Sequence, residues 1–257
     1  MDNLEAILLA AGKGTRLKPF TSYTSKHLLP IHNVPMIFYP LKNLQLIGVK
    51  KVFIVINEEH LIQWDSLLNH YNFEMNIEIV IQEGARGIPD AINTCKGKIG
   101  GENFIVALGD NVIIASNFLN NFKKNITPGK ATICGFSVSD PKSFGVAKLN
   151  KDNQIVEVLE KPKSPPSNII IGGFYNFPKN AFSIIANLEY SERGELEIAD
   201  LINYYIDGGV CNFVISSSQS DYWIDTGDIE SLVKATGFVR DLKRNSGLQI
   251  AQFNSKE

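Results

Sequence analysis

The sequence predicts an α/β fold in which a doubly wound, mostly parallel sheet carries an additional, mostly antiparallel section. Between residues 6 and 108, short apolar runs alternate with segments of helical periodicity, a pattern typical of a parallel sheet covered by helices. After about Asn125, short strands follow one another with Pro- and Gly-rich turns between them. We expect a single domain over residues 1–257, divided into halves at 1–125 and 126–227, with a closing helix and tail at 228–257.

The first half contains four short apolar runs rich in β-branched residues, which is the pattern of strands buried on both faces. These predicted strands cover residues 6–11, 51–56, 77–82 and 104–108. Apolar residues at helical spacing predict helices at 35–46, 61–71 and 88–96, and Gly48 is placed to end the first of them.

The second half is predicted to contain more strands than helices. The strands cover residues 131–137, 147–149, 155–158, 169–175 and 210–216. Helices are expected at 178–188, at 196–206 and at 229–242, where Asp228 is a suitable N-cap.

Composition excludes several classes of protein. The 257 residues are 44% hydrophobic and 20% charged, which is ordinary for a globular protein with a core, and the net charge of −2 gives no reason to expect nucleic acid as a partner. The three cysteines are odd in number and form no C-x-x-C motif, so neither a zinc site nor a disulfide framework is indicated. Because apolar runs are short and a basic leader is lacking, we expect a cytoplasmic protein without membrane attachment.

A glycine turn follows the first predicted strand. Gly12-Lys13-Gly14-Thr15 fails the Walker pattern because Thr15-Arg16 follows Gly14, and it fails the dinucleotide fingerprint because Leu17 occupies the third glycine position. Pro19 also disfavours an immediate helix. Exposed backbone N–H groups beside Lys13, Arg16 and Lys26 would suit a polyanion such as a phosphate chain. On the glycine pair alone, a plain turn with solvated lysines is an equally good interpretation.

The turn is the first member of an ordered set of motifs that covers nearly the whole chain. In sequence order these are 12–19 (G-K-G-T-R-L-K-P), 25–30 (S-K-H-L-L-P), Gln82, 109–111 (G-D-N), 160–162 (E-K-P), 193–198 (R-G-E-L-E-I) and 223–227 (W-I-D-T-G). This set resembles the signature of the sugar-1-phosphate nucleotidyltransferases, and within that family it looks like the short thymidylyltransferases that act on glucose 1-phosphate. The resemblance implies a Rossmann-like nucleotidyltransferase fold whose antiparallel section binds the sugar.

The reaction that the resemblance implies is Mg²⁺-dependent transfer from dTTP to glucose 1-phosphate, which gives dTDP-glucose and pyrophosphate. The sugar phosphate would attack the α-phosphate directly and in line. A phosphate monoester is already anionic near neutral pH, so such an enzyme needs charge neutralisation and alignment more than a general base. The family also leads us to expect a homo-oligomer.

The resemblance assigns roles to residues at matching positions. The catalytic set is Arg16, Lys26, Asp110, Lys161 and Asp225, and the two aspartates would hold the metal. The nucleotide-binding set is Leu9, Ala11, Gly12, Gly14, Thr15, Arg16, Lys26, Gln82 and Gly87. The sugar-binding set is Asn111, Gly145, Glu160, Lys161 and Ile171. Arg193 receives no chemical role.

Two departures from the family pattern leave alternatives open. Residues 87–91 read G-I-P-D-A where thymidylyltransferases have G-[LI]-A-Q-A, and Gly172 stands where a threonine is usual. Both segments are expected near the substrates, so the same reaction with UTP or another hexose 1-phosphate is one alternative. A non-catalytic protein that binds nucleotide sugars is an alternative of a different class.

Overall fold

The computed structural model describes residues 4–216, 218, 221–247 and 249–256. Over these residues the chain forms thirteen strands and seven α-helices. The strands are β1 (Glu5–Leu9), β2 (Pro30–Ile31), β3 (Val34–Pro35), β4 (Lys51–Ile56), β5 (Asn76–Ile81), β6 (Asn103–Leu108), β7 (Asn111–Ile114), β8 (Ala131–Ser137), β9 (Gly145–Leu149), β10 (Ile155–Glu160), β11 (Ile169–Pro178), β12 (Cys211–Ile215) and β13 (Tyr222–Asp225). The helices are α1 (Phe38–Ile47), α2 (Leu61–His70), α3 (Ile88–Asn93), α4 (Ser116–Lys124), α5 (Ala181–Ile185), α6 (Ile198–Asp207) and α7 (Ile229–Ser246).

A nine-stranded sheet runs through the molecule in the order β10-β9-β11-β6-β1-β4-β5, with β8 paired to β11 and β12 paired to β8. Strands β5, β4, β1 and β6 are parallel neighbours. Strand β11 is antiparallel to β6, β8 and β9, and β9 is antiparallel to β10. The predicted fold class, a mostly parallel sheet with an antiparallel section, is confirmed.

Both faces of the sheet are covered by apolar packing, which explains why its strands read as continuous apolar runs. In β1, Ala6 and Leu8 belong to one core cluster, whereas Ile7 and Leu9 belong to the cluster on the opposite face. The side chains alternate between the two faces because successive residues of a strand point in opposite directions. The described helices include none that is long and apolar enough to span a lipid bilayer.

Strand β11 joins the parallel strands to the antiparallel section. Its last five residues pair with β6, and its first three pair with the end of β8. The register shifts between Ile171 and Tyr175, where the chain passes through Gly172 and Gly173. A Cβ at Gly172 would lie 2.5 Å from a Phe136 ring carbon, and one at Gly173 would lie 2.7 Å from Leu108 Cδ1. Glycine is therefore needed where this strand crosses from one section to the other.

Several element boundaries differ from those predicted. The helix expected at 178–188 is only α5, because Pro178 is still part of β11 and pairs with Asn103. The strand expected at 6–11 ends at Leu9, where the chain leaves the sheet toward the glycine turn. Strands β7 and β13 and helix α4 were not predicted, because Gly109-Asp110 suggested the end of a strand and α4 is rich in asparagine.

Candidate active site

The glycine turn follows β1 and is closed by local hydrogen bonds. Gly14 has a left-handed backbone, with φ 60°, which glycine adopts without steric cost. Its carbonyl accepts hydrogen bonds from the Leu17 backbone N–H at 2.9 Å and from Thr21 Oγ1 at 2.8 Å. The chain continues through three short 3₁₀ turns rather than a helix, as Pro19 predicts. The turn therefore presents an extended loop that can lie against a ligand.

Lys26 crosses over this turn and connects it to the end of β6. A Cβ at Gly12 would lie only 3.0 Å from Lys26 Cε, so the lysine passes close to the glycine backbone. The Lys26 ammonium forms an ion pair with Asp110, which follows β6. Burial acts to raise the pKa of Asp110, but the positive charge of Lys26 and hydrogen bonds from Lys26 and Asn111 hold that pKa well below its usual range. Asp110 is therefore an anion at neutral pH.

Asp225 reaches the same place from the other end of the chain. In the antiparallel pair of β13 with β7, Asp225 stands opposite Asn111. Thr226 Oγ1 donates a hydrogen bond to the Asp110 carbonyl at 2.7 Å, which ties the two segments together. Burial and the negative charge of Asp110 raise the pKa of Asp225. Both carboxylates line one cavity.

Arg16 lies beside Asp225. A Cβ at Gly227 would be 2.7 Å from Arg16 Nη2 and 3.0 Å from Asp225 Oδ2, so the guanidinium and the carboxylate both approach this glycine. Arg16, Lys161 and Asp225 also line one open depression. Of the other turn residues predicted to bind the nucleotide, Gly14 shapes the loop and Thr15 is exposed; Lys13, to which no role is assigned, is exposed as well. Of the two predicted phosphate-binding cations, Arg16 thus lies near Asp225 and Lys26 pairs with Asp110.

The residues predicted to bind sugar lie together in a cavity of ≈ 200 Å³ between the two sections of the sheet. Asn111, Gly145, Glu160, Lys161 and Ile171 all line it, together with Asp110 and Asp225. A Cβ at Gly145 would lie 3.4 Å from Glu160 Oε2, so the glycine keeps space open beside this carboxylate. Burial raises the pKa of Glu160, opposed by the charge of Lys161, whose Nζ is 3.5 Å from Glu160 Oε1.

Arg193, to which the sequence interpretation assigns no chemical role, also lines this cavity. Its Nη2 lies 2.6 Å from Glu197 Oε2 and its Nε lies 3.1 Å from Glu197 Oε1, so the guanidinium makes a bidentate pair. The same Nη2 is 3.6 Å from Glu160 Oε1. The i,i+4 spacing of Arg193 and Glu197 was visible in the sequence, but it is equally typical of a solvated helix start.

Trp223 orients Asn111 in the sugar-side cavity, next to Asp110. Its indole Nε1 donates to Asn111 Oδ1 at 2.7 Å, and Asn111 Nδ2 donates to Asp110 Oδ1 at 3.0 Å. The ring of Trp223 is stacked with Phe136 and meets Phe144 edge to face. This packing fixes the indole, which in turn fixes the Asn111 amide and one oxygen of Asp110.

The remaining predicted nucleotide-binding residues line a second cavity, of ≈ 270 Å³. They are Leu9, Ala11, Gly12, Lys26, Gln82 and Gly87. Asp110, Leu108, Ile88 and Glu195 line both cavities, so the two form one cleft with Asp110 between them. A Cβ at Gly87 would lie 2.1 Å from the Leu196 carbonyl oxygen, which explains why glycine occupies this position.

The carboxylates in the cleft fit a magnesium ion by their chemistry. The part of the chain that the structure describes contains no cluster of three or more His, Cys, Asp or Glu side chains suited to a metal. Mg²⁺ does not need such a cluster, because it binds through one or two carboxylates together with substrate phosphates and water. Asp110 and Asp225 line the same cavity. After burial, the negative charge of Asp110 is the next cause of the raised pKa of Asp225, and a bound cation would relieve this repulsion.

Comparisons with known proteins agree on the kind of protein this is. A sequence profile described as nucleotidyl transferase matches residues 5–241. A glucose-1-phosphate thymidylyltransferase of Xanthomonas campestris pv. campestris is 33% identical over 252 residues, which are 97% of this chain and 85% of that relative. A crystal structure from Bacillus anthracis contains a sucrose, and its protein is provisionally named a glucose-1-phosphate thymidylyltransferase. The match has a TM-score of 0.83 at 34% identity and covers 93% of this chain and 96% of the other. A UDP-glucose pyrophosphorylase complexed with UDP-glucose also has a TM-score of 0.83, covering 93% of this chain and 99% of that one. At 20% identity, this last likeness concerns the fold alone.

Proposed function

Because the chain belongs to the nucleotidyl transferase family, we propose that it transfers a thymidylyl group from dTTP to glucose 1-phosphate, forming dTDP-glucose and pyrophosphate. The name of the Xanthomonas relative supports this choice of substrates. The observation that carries the proposal is the single cleft in which two cavities meet at Asp110. One cavity is lined by six of the residues expected to bind the nucleotide, and the other is lined by those expected to bind the sugar phosphate.

On the nucleotide side, the glycine turn and its cations would hold the triphosphate. Backbone N–H groups near Gly12 and Gly14 can approach phosphate oxygens because these residues lack side chains. Arg16 supplies a planar guanidinium and Lys26 a compact ammonium, and both would neutralise charge on the departing pyrophosphate. Since Lys26 now pairs with Asp110, we expect its ammonium to exchange part of that contact for phosphate oxygens when the nucleotide binds.

Asp110 and Asp225 would hold Mg²⁺ against the α-phosphate. When bound, the metal would neutralise phosphate charge and polarise the phosphorus toward attack. Neighbouring residues keep Asp110 and Asp225 in place. Thr226 Oγ1 donates to the backbone carbonyl of Asp110, and the Gly227 N–H donates to Asp225 Oδ2 at 3.2 Å. Positioning of this kind is the main contribution that a protein makes to phosphoryl chemistry.

On the sugar side, Lys161 would neutralise the phosphate of the sugar and Glu160 would accept hydrogen bonds from its hydroxyl groups. An oxygen of the sugar phosphate attacks the α-phosphorus, a new P–O bond forms, and the bond to the β-phosphate oxygen breaks. Pyrophosphate leaves with the electron pair of the broken bond. Because the nucleophile is already an anion, no side chain has to remove a proton from it.

The choice of nucleotide rests on Gln82, a buried side chain that lines the nucleotide-side cavity. An amide offers both a donor and an acceptor and therefore suits the imide edge of thymine. Uracil has the same edge, so UTP is the second candidate for the nucleoside triphosphate. On the sugar side, Phe136 fills the space next to Gly172, where a threonine is usual, and this difference keeps other hexose 1-phosphates as candidates.

The test is a panel of nucleoside triphosphates against a panel of hexose 1-phosphates, with release of pyrophosphate as the readout. We expect the highest kcat/KM for dTTP with glucose 1-phosphate, and loss of release when EDTA removes divalent metal. A preference for UTP or for another hexose would select one of the alternative substrates. Nucleotide-sugar binding in calorimetry without release of pyrophosphate from any pair would instead indicate a non-catalytic binding protein.

A further inference from the structure

We infer that Asp90 is a positioning residue that fixes the orientation of the Gln82 amide, and that it thereby selects pyrimidine bases with an imide edge over cytosine. This inference rests on the proposed function, since it concerns the base of the nucleotide in the same cleft. It also concerns the segment 87–91 in which this chain departs from the thymidylyltransferase pattern.

The geometry that carries the inference is one hydrogen bond behind the nucleotide-side cavity. Gln82 Nε2 donates to Asp90 Oδ2 at 3.0 Å. Gln82 is 6% exposed, and its backbone N–H donates to the Ile56 carbonyl at 2.9 Å. The backbone of Gln82 is therefore anchored to the end of β4, and only the side-chain torsions remain to be set.

Asp90 is held in place on its other side. Its Oδ1 forms an ion pair with Arg86, whose Nη2 lies 3.1 Å away. The Asp90 side chain is only 12% exposed, whereas that of Arg86 is 58% exposed. Asp90 lies in the first turn of α3. Gly87, just before this helix, pairs with Leu196 in an isolated bridge, which fixes the start of α3.

An ionised carboxylate accepts hydrogen bonds and donates none. The amide of Gln82 must therefore turn its NH₂ group toward Asp90, and its Oε1 must point elsewhere. Within the described part of the chain, no donor occupies Gln82 Oε1. The amide thus has one acceptor oxygen and one remaining N–H to offer a ligand. A flipped amide would bring Oε1 against the Asp90 carboxylate, and two buried acceptors facing each other are unfavourable.

This orientation distinguishes bases that are alike in shape. Uracil and thymine present an N3–H donor beside the O4 acceptor, which matches an oxygen and an N–H of the fixed amide. Cytosine presents the opposite pattern, with N3 as an acceptor beside an amino donor. A freely rotating glutamine could read either edge by flipping, but a glutamine held by Asp90 can read only the first. Selectivity of this kind arises as much from unfavourable contacts with the wrong base as from favourable contacts with the right one.

The experiment compares dUTP with dCTP, which differ only at the edge in question. We would measure kcat/KM for both triphosphates in the wild type and in the Asp90→Asn, Asp90→Ala and Arg86→Gln variants, with glucose 1-phosphate and pyrophosphate release. The side-chain amide introduced by Asp90→Asn could donate to Gln82 Oε1, and the methyl group left by Asp90→Ala would not constrain the glutamine. Because each ratio is taken on one enzyme preparation, partial loss of folded protein cancels.

We expect the wild type to prefer dUTP by at least about 100-fold, the size of effect seen when a site leaves polar groups mismatched. Both Asp90 variants should reduce this ratio by about 10-fold or more, partly through a gain of activity with dCTP. Arg86→Gln should leave the ratio within about twofold, because the bond from Asp90 to Gln82 remains. Ratios that stay at the wild-type value in both Asp90 variants would overturn the inference.

A different result would indicate failure of the proposed function itself. If the wild type released no pyrophosphate with any triphosphate, nucleotidyl transfer would be wrong. The role of Asp90 would then be tested by calorimetry, as the ratio of dissociation constants for dUTP and dCTP in the same variants. An unchanged ratio of dissociation constants would overturn the inference in that case as well.

Discussion

Asp225 stands directly opposite Asn111 across the antiparallel pair of β13 and β7. Since Asp110 precedes Asn111, this pairing brings two acidic side chains from distant parts of the chain into one cavity. The raised pKa of Asp225, caused by its burial and by the charge of Asp110, is the electrostatic consequence. A two-stranded pairing outside the main sheet thus builds the acidic centre of the cleft.

His27 should make the protein less stable as the pH falls. Burial and the charge of Lys26 lower the pKa of His27 to about 3, whereas in the unfolded chain it is about 6.5. Between these values the unfolded state binds a proton that the folded state does not, so stability falls as the pH decreases from 6.5 toward 3. We expect the titration of His27 to lower the free energy of unfolding by about 2 kcal/mol when the pH falls from 7 to 5.

The measurement is urea unfolding of the wild type and the His27→Gln variant across this pH range. The difference in unfolding free energy between the two proteins isolates His27 from other titrating groups. His70→Gln is the matched control, because His70 is exposed. If the difference in unfolding free energy between the wild type and His27→Gln did not change with pH, His27 would not be held neutral by its surroundings.

Gly87→Ala should destabilise the protein more than Gly84→Ala. Both glycines have positive φ, 102° and 82°, so alanine at either position is strained by about 1 kcal/mol. Only at position 87 would the new Cβ also meet backbone, 2.1 Å from the Leu196 oxygen, whereas position 84 has open space. We expect a loss of at least about 3 kcal/mol for Gly87→Ala, together with a higher KM for the nucleotide. Equal losses in the two variants, measured by thermal or urea unfolding, would contradict the steric explanation.

Lys161→Gln should weaken the use of the sugar phosphate more than the use of the nucleotide. The Lys161 ammonium lies beside Glu160 in the sugar-side cavity, and the residue is exposed enough to reach an incoming phosphate. Loss of one charge-assisted contact should raise the KM for glucose 1-phosphate by about 10-fold or more. Steady-state kinetics with each substrate varied in turn would measure this. Lys163→Gln, two residues away and exposed, should change neither KM.

The parallel half of the fold was readable from the sequence because its strands are buried on both faces. The apolar runs at 51–56 and 104–108 therefore had no competing interpretation as amphipathic helices. Strand β7 was missed because Gly109-Asp110 interrupts an apolar stretch that resumes at Val112. Pairing with β13 supplies the stability of that short strand, and long-range pairing of this kind leaves no local pattern to detect.

The candidate site was predicted through its motif set rather than through spacing alone. Lys26, Asp110 and Asp225 are too far apart in sequence for any local rule to bring them together. The roles of Arg193 and Asp90 could not be foreseen for a related reason, since each acts on a neighbour in space. Arg193 lies near Glu160 in the sugar-side cavity. Asp90 accepts a hydrogen bond from Gln82, which lines the nucleotide-side cavity. Such contacts become visible only when the strand ends and α3 are placed together.

The central claim is that Asp110 and Asp225 act together on one metal-bound triphosphate. The most direct test is the Mg²⁺ dependence of pyrophosphate release from dTTP and glucose 1-phosphate. It compares the wild type with the Asp110→Asn and Asp225→Asn variants. Asp152→Asn, at an exposed turn, is the control. We expect each of the first two variants to lose at least about 100-fold in kcat and to require more Mg²⁺, while the control is unchanged. Turnover within a few-fold of the wild type, at the same Mg²⁺ concentration, in either aspartate variant would contradict the account.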